Sequence, residues 1–100
     1  MKVEITKNEN VTTVAFAGRL DTPAAQEVSE TIAPILEAAD GTIILDCKEM
    51  TYISSSGLRI FLSLRKAAAA QGGKIIVKDI NDDIRQVFMM TGFLNLFDIQ

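Results

Sequence analysis

Val3 and Ile5 alternate with polar neighbours, Lys7-Asn8-Glu9-Asn10 supplies turn residues, and Val11 to Ala17 is rich in β-branched residues with Val14 and Phe16 on one face. Period-two patterning on both sides of a polar turn predicts a β-hairpin. The spacing then changes. Thr22 before Pro23 predicts a helix start, because threonine caps free backbone N–H groups and proline has none to leave unpaired at the first helical position. Ala25, Val28, Ile32, Ile35 and Leu36 continue at helical spacing to about residue 38, with a kink expected where Pro34 removes the hydrogen bond back to Glu30. After Gly41, Thr42-Ile43-Ile44-Leu45 is a short apolar run of the kind found in buried parallel strands, and Lys74-Ile75-Ile76-Val77 repeats it. Between them Gly57 to Gln71 carries Leu58, Phe61, Leu62, Leu64 and Ala68 mainly along one side and ends at Gly72-Gly73. Strand, helix and strand make a βαβ unit, which places the chain in the α/β class with helix 57 to 71 across one face of the sheet. Asn81 is expected to cap a last helix with Asp82 and Asp83 in its first turn, Ile84, Val87 and Phe88 inward and Gly92 at its end. Phe93 to Ile99 finishes as apolar packing with a short final strand.

Length and composition narrow what this arrangement can do. One hundred residues, 48% hydrophobic and 23% charged, suit one domain, residues 1 to 100, whose core forms without a disulfide or metal staple. The absence of histidine removes the commonest general base and any Ser/His/Asp triad within the chain. Cys47 is the only cysteine and reads as a small buried hydrophobe. Net charge is −3, and no Lys or Arg cluster can neutralise several phosphates at once, so nucleic acid is not an expected partner. Six acids and no base lie from Asp21 through Asp46, making the first helix an acidic, solvated surface. No apolar run approaches the roughly 18 residues of a bilayer span, and the start is charged and alternating, so direct membrane insertion is not expected and the cytoplasm is the expected compartment.

In an α/β sheet the loops leaving the carboxyl ends of strands converge on one edge, toward which helix N-termini aim their free N–H groups. Three segments are expected there: Gly18-Arg19-Leu20-Asp21, the stretch from Asp46 through Ser56, and Asp79 to Asp82. The middle one runs Met50-Thr51-Tyr52-Ile53-Ser54-Ser55-Ser56-Gly57-Leu58 and sets three consecutive hydroxyls where a loop becomes a helix. One serine there is an ordinary cap, whereas three followed by glycine carry more information. Met50 and Ile53 are expected to anchor this loop to the core, with Tyr52 partly exposed.

With these markers the chain resembles the STAS domain family, and within it the bacterial anti-sigma factor antagonists. The resemblance spans nearly all 100 residues through Gly18-x-Leu20-Asp21, Ile43-Ile44-Leu45-Asp46, Tyr52-Ile53-Ser54-Ser55-Ser56-Gly57-Leu58 and Thr91-Gly92-Phe93. It implies a mixed, mostly parallel sheet of four to five strands with an N-terminal hairpin and helices packed mainly on one face. It also implies a binding protein that is not an enzyme. Unphosphorylated, such a protein binds an anti-sigma factor that is itself a serine kinase and so frees a sigma factor to act in transcription. Phosphorylation ends the association, and a serine phosphatase resets the cycle. No cofactor is implied beyond the ATP that the partner kinase supplies, and no metal. In that family the loop usually reads Asp-Ser-Ser-Gly, with the acceptor directly after the aspartate. Matching on Gly57 makes Ser55 the acceptor, while Ser54 stands at the aspartate position and adds a rival hydroxyl. By the same resemblance Asp21, Thr22, Tyr52, Ser54, Ser56, Gly57 and Arg59 form the partner-binding set. Asp21 has two open roles, docking the kinase or its nucleotide and capping the following helix. Arg59, four residues beyond Ser55, is spaced to pair with a phosphate there or to remain solvated.

Two other readings use the same residues. Some STAS domains serve, unphosphorylated, as subunits of transporters and lipid-export complexes or as scaffolds, and Ser54 in place of aspartate fits that role. A small serine hydrolase needs glycine on both sides of a tight nucleophile turn and a base. Glycine follows Ser56 but none precedes it, and Lys48, the nearest lysine, reads as a protonated surface group.

Overall fold

The computed structural model describes residues 1–100. Strands β1 (Lys2–Asn8) and β2 (Val11–Leu20) form the hairpin, followed by helices α1 (Thr22–Thr31) and α2 (Ala33–Glu37). Strand β3 (Thr42–Ile53), helix α3 (Ser55–Gln71), strand β4 (Lys74–Lys78), helix α4 (Asp82–Thr91), a 3-10 turn (Phe93–Asn95) and strand β5 (Asp98–Ile99) complete the chain. The sheet order is β1-β2-β3-β4-β5, with β1 antiparallel to β2 and every later neighbour parallel. Because the sheet never reverses its direction of growth, right-handed crossovers put all the helices on one face. Val14 and Phe16 of β2, Ile43 and Leu45 of β3 and Val77 of β4 are buried on that face, whereas no strand position on the opposite face is buried. At the centre, Phe61 of α3 lies 5.5 Å from Phe16, 6.1 Å from Phe88 and 6.3 Å from Phe97, tying sheet, helices and C-terminal segment into one aromatic cluster.

The expected hairpin, kinked first helical segment, βαβ unit, capped last helix and short final strand are all present, with boundary corrections that bear on function. The hairpin turn is only Glu9-Asn10, with Lys7 and Asn8 inside β1 and Glu9 at φ 56°. The first helix is capped by Asp21 and not by Thr22: the Ala24 N–H donates to Asp21 Oδ1 at 3.0 Å, which moves Thr22 and Pro23 into the first turn. Pro34 does more than kink that helix. It sits in the first turn of a separate helix α2, and the path breaks at Ile32. The third helix begins at Ser55, two residues before Gly57, and stops at Gly72, whose φ of 77° is a left-handed cap that glycine adopts without strain.

The largest correction concerns the stretch from Asp46 through Ser56, expected as a loop. Residues 46–53 continue β3, which is 12 residues long. The pairing with β2 shows why alternation did not reveal this. Ala15 pairs with Asp46 and Ala17 with Glu49, then Gly18 pairs with Met50 and Arg19 with Tyr52. At each shift β3 carries one extra residue, so its buried positions step 43, 45, 47, 50, 53. Asp46 supports the first bulge by accepting a hydrogen bond from the Lys48 N–H at 3.1 Å.

Candidate functional site

The ends of β2 and β3 and the starts of α1 and α3 meet at one edge of the molecule. Leu20 and Ile53 form the last rung of the β2/β3 ladder, and both are buried. One residue further on, the Ser54 N–H donates to the Leu20 carbonyl at 2.9 Å, pinning the strand-to-helix turn to β2. Ser54 is the cap of α3: its Oγ accepts from the Gly57 N–H at 3.2 Å, and its carbonyl takes the first helical hydrogen bond from Leu58 at 2.9 Å. Gly57 is buried, and a β-carbon there would approach Ile53 Cγ1 and Leu20 Cγ to 2.8 Å each. Glycine therefore lets the first turn of α3 lie flat on the strand ends. This position was expected among the partner contacts, but it is inaccessible and acts by permitting close packing.

The three hydroxyls are thus distinguished by their surroundings. Ser54 is half-buried and holds the cap. Ser56 is half-buried and turns toward α1, its Oγ at 3.5 Å from both Thr22 Oγ1 and Arg59 Nη2, the long limit of hydrogen bonding. Ser55, between them, is exposed and its hydroxyl has no hydrogen-bond partner within the chain.

Asp21 is half-buried with one carboxylate oxygen engaged in the α1 cap, so the capping role is realised at the same edge as Ser54. Thr22 is exposed beside Ser56. Arg59 extends along the groove between α1 and α3 toward Ser56 and is exposed. Met50 and Ile53 are buried as expected. Tyr52 is 40% exposed on the other side of the strand ends, with the Arg19 guanidinium 4.2 Å from its ring centroid. Arg19 was not singled out from sequence, because the register that seats it opposite Tyr52 depends on two bulges hidden from alternation.

Reactive groups elsewhere are arranged for packing. Cys47 is fully buried and its thiol is pushed up to about 12, first by burial and then by the Asp46 and Asp79 carboxylates. A thiol so shifted is protonated and inert at neutral pH. Lys48 is exposed on the β3 bulge. No three His, Cys, Asp or Glu side chains converge in a metal-holding group, and no helix is long and apolar enough to cross a membrane.

Comparison with known proteins agrees with this architecture. The anti-sigma-B factor antagonist of Bacillus subtilis is 31% identical over 100 residues, an alignment covering 99% of this chain and 90% of that protein. Among solved structures, the anti-sigma factor antagonist SpoIIAA in its unphosphorylated form superposes with a TM-score of 0.78 at 19% identity, covering 99% of this chain and 87% of that one. The phosphorylated form of the Bacillus cell fate determinant SpoIIAA gives 0.77 at 20% identity, covering 99% and 91%. The fold is thus the SpoIIAA-like one, five strands with an N-terminal antiparallel hairpin. The STAS domain model matches residues 2–100, and the chain belongs to the STAS domain family.

Proposed function

We propose that this protein is an anti-sigma factor antagonist whose activity is switched at Ser55. In its unphosphorylated state it binds an anti-sigma factor that is a serine kinase, so that a sigma factor is released. That kinase brings the ATP and transfers the phosphoryl group to Ser55, and a serine phosphatase removes it. The protein contributes a docking edge and an acceptor hydroxyl, with no catalytic chemistry of its own, and acts in the cytoplasm.

The carrying observation is the division of labour among three adjacent serines: Ser54 is committed to the cap, Ser56 faces α1, and Ser55 alone offers a free, exposed hydroxyl at the mouth of a 17-residue helix. A phosphate there meets the positive end of the helix dipole, which favours anions by about 0.3–1 kcal/mol, so the domain accommodates the modified state. The near-equal backbone agreement with phosphorylated and unphosphorylated SpoIIAA supports the same view. At the docking surface the balance reverses, because burying an unmatched dianion costs about 2–5 kcal/mol, a loss of roughly 30-fold or more in affinity. The reading as an unmodified subunit of a transporter complex rests on Ser54 standing at the position where the family's loop usually has aspartate. Ser54 performs the same capping that an aspartate performs, so that replacement leaves the acceptor geometry in place.

The test is to incubate the protein with each anti-sigma serine kinase of its source genome and ATP, using wild type, Ser54→Ala, Ser55→Ala and Ser56→Ala. Labelling of all but Ser55→Ala supports the assignment. Loss only in Ser54→Ala moves the acceptor by one position, and no labelling of the wild type by any of them overturns the reading.

A further inference from the structure

The acceptor loop is straddled by two cations on opposite sides of the strand ends. Arg59 lies on the helix side. Arg19 lies on the uncovered side: it pairs in register with Tyr52, one rung before buried Leu20 and Ile53, so both side chains project from the face that carries no helix. Its guanidinium stacks on the Tyr52 ring at 4.2 Å. It takes part in no ion pair and no hydrogen bond within the chain, whose one ion pair is the exposed Lys2–Glu4 contact at 3.9 Å.

From this geometry we infer that the Arg19–Tyr52 pair is a partner-selecting contact that receives a carboxylate side chain from the protein docking over Ser55. Three observations support this, and the inference rests on the functional reading above. First, the guanidinium sits over the Tyr52 ring with none of its N–H donors engaged within the chain, and such a donor fork can grip a carboxylate with two parallel hydrogen bonds. Second, the tyrosine ring restrains a side chain that otherwise loses rotamer freedom on binding, and exposed arginine and tyrosine are the residue types enriched where interfaces concentrate their energy. Third, the pair is continuous with the acceptor edge: Asp21 follows Arg19 by two residues and Ser54 follows Tyr52 by two, so a protein covering Ser55 extends over it. The group transferred to Ser55 belongs to α3, on the helix-bearing face, whereas Arg19 projects from the uncovered face, so its guanidinium is left for a carboxylate of the docking protein.

The experiment measures affinity for the same anti-sigma serine kinases at low and high salt, with wild type, Arg19→Gln, Arg19→Glu, Tyr52→Phe and Tyr52→Ala. Arg19→Gln is expected to weaken binding about tenfold and Arg19→Glu about 30-fold or more, each with a shallower salt dependence than wild type and a melting temperature within a few degrees of it. Tyr52→Phe keeps the stacking platform and near-wild-type affinity, whereas Tyr52→Ala loses part of it. Reversing one acidic residue on the kinase to arginine restores binding of Arg19→Glu. If Arg19→Glu binds like wild type while Ser55 is still phosphorylated, this inference fails and the functional reading stands. If no kinase binds the wild type, both fail.

Discussion

Three neighbouring serines of one chemistry hold three different positions, and backbone geometry alone separates them. Ser54→Ala removes the α3 cap and is expected to cost about 1 kcal/mol, a fall of about 4–8 °C in melting temperature for a domain of this size. Ser54→Asp keeps the capping oxygen, adds a favourable charge at the helix start, and melts at or above wild type. The same thermal scan read on Gly57→Ala is expected to show a larger loss, about 1–3 kcal/mol, because the new methyl meets Leu20 and Ile53 at 2.8 Å. Phosphorylated Ser55, by contrast, is expected to melt within a few degrees of the unmodified protein while its affinity for the kinase falls roughly 30-fold or more. A large melting shift with unchanged affinity overturns that prediction. The serine run and the glycine after it were legible in the sequence. The cap assignment of Ser54 was not, because three consecutive hydroxyls can each serve as a cap and only the path of the chain selects one.

Elements whose hydrophobic period is regular were readable: the hairpin, the body of α3 and the capped α4 all follow from spacing and end signals. β3 was readable only as far as Leu45. Beyond it Lys48-Glu49 and Thr51-Tyr52 read as loop, since each bulge places two residues opposite one and breaks the alternation on which recognition depends. The Arg19–Tyr52 contact was obscured by the same irregularity, which is what brings Tyr52 opposite Arg19. The distal half of β3 has no β4 neighbour, because β4 pairs only as far as Asp46 with Lys78. Asn81 compensates there: its Oδ1 accepts from the Ile84 N–H at 2.8 Å, capping α4, while its Nδ2 donates to the Met50 carbonyl at 3.2 Å. Asn81→Asp keeps the first bond and loses the second. It is expected to destabilise the protein by about 1 kcal/mol in urea denaturation, with faster amide exchange along residues 46–53 than in β4.

For the whole molecule, one buried titratable group sets a pH limit. The Cys47 thiol ionises near 9.0 when unperturbed and is held up to about 12 in the folded protein. Between those values the unfolded chain has released a proton that the folded chain retains. This contribution is therefore intact below pH 9 and lost as pH rises toward 12, at up to about 1.4 kcal/mol per unit. Cys47→Ala is expected to be less stable near neutrality but to lack that slope, as urea titrations at about pH 8 and about pH 10.5 reveal. The strand order carries a further consequence. Each strand docks beside the one made just before it, so hairpin, third, fourth and fifth strands can be laid down in the sequence in which a ribosome delivers them. Assembly need never wait for a distant segment to be threaded between partners already joined, and every stage of synthesis presents an edge ready for the next addition.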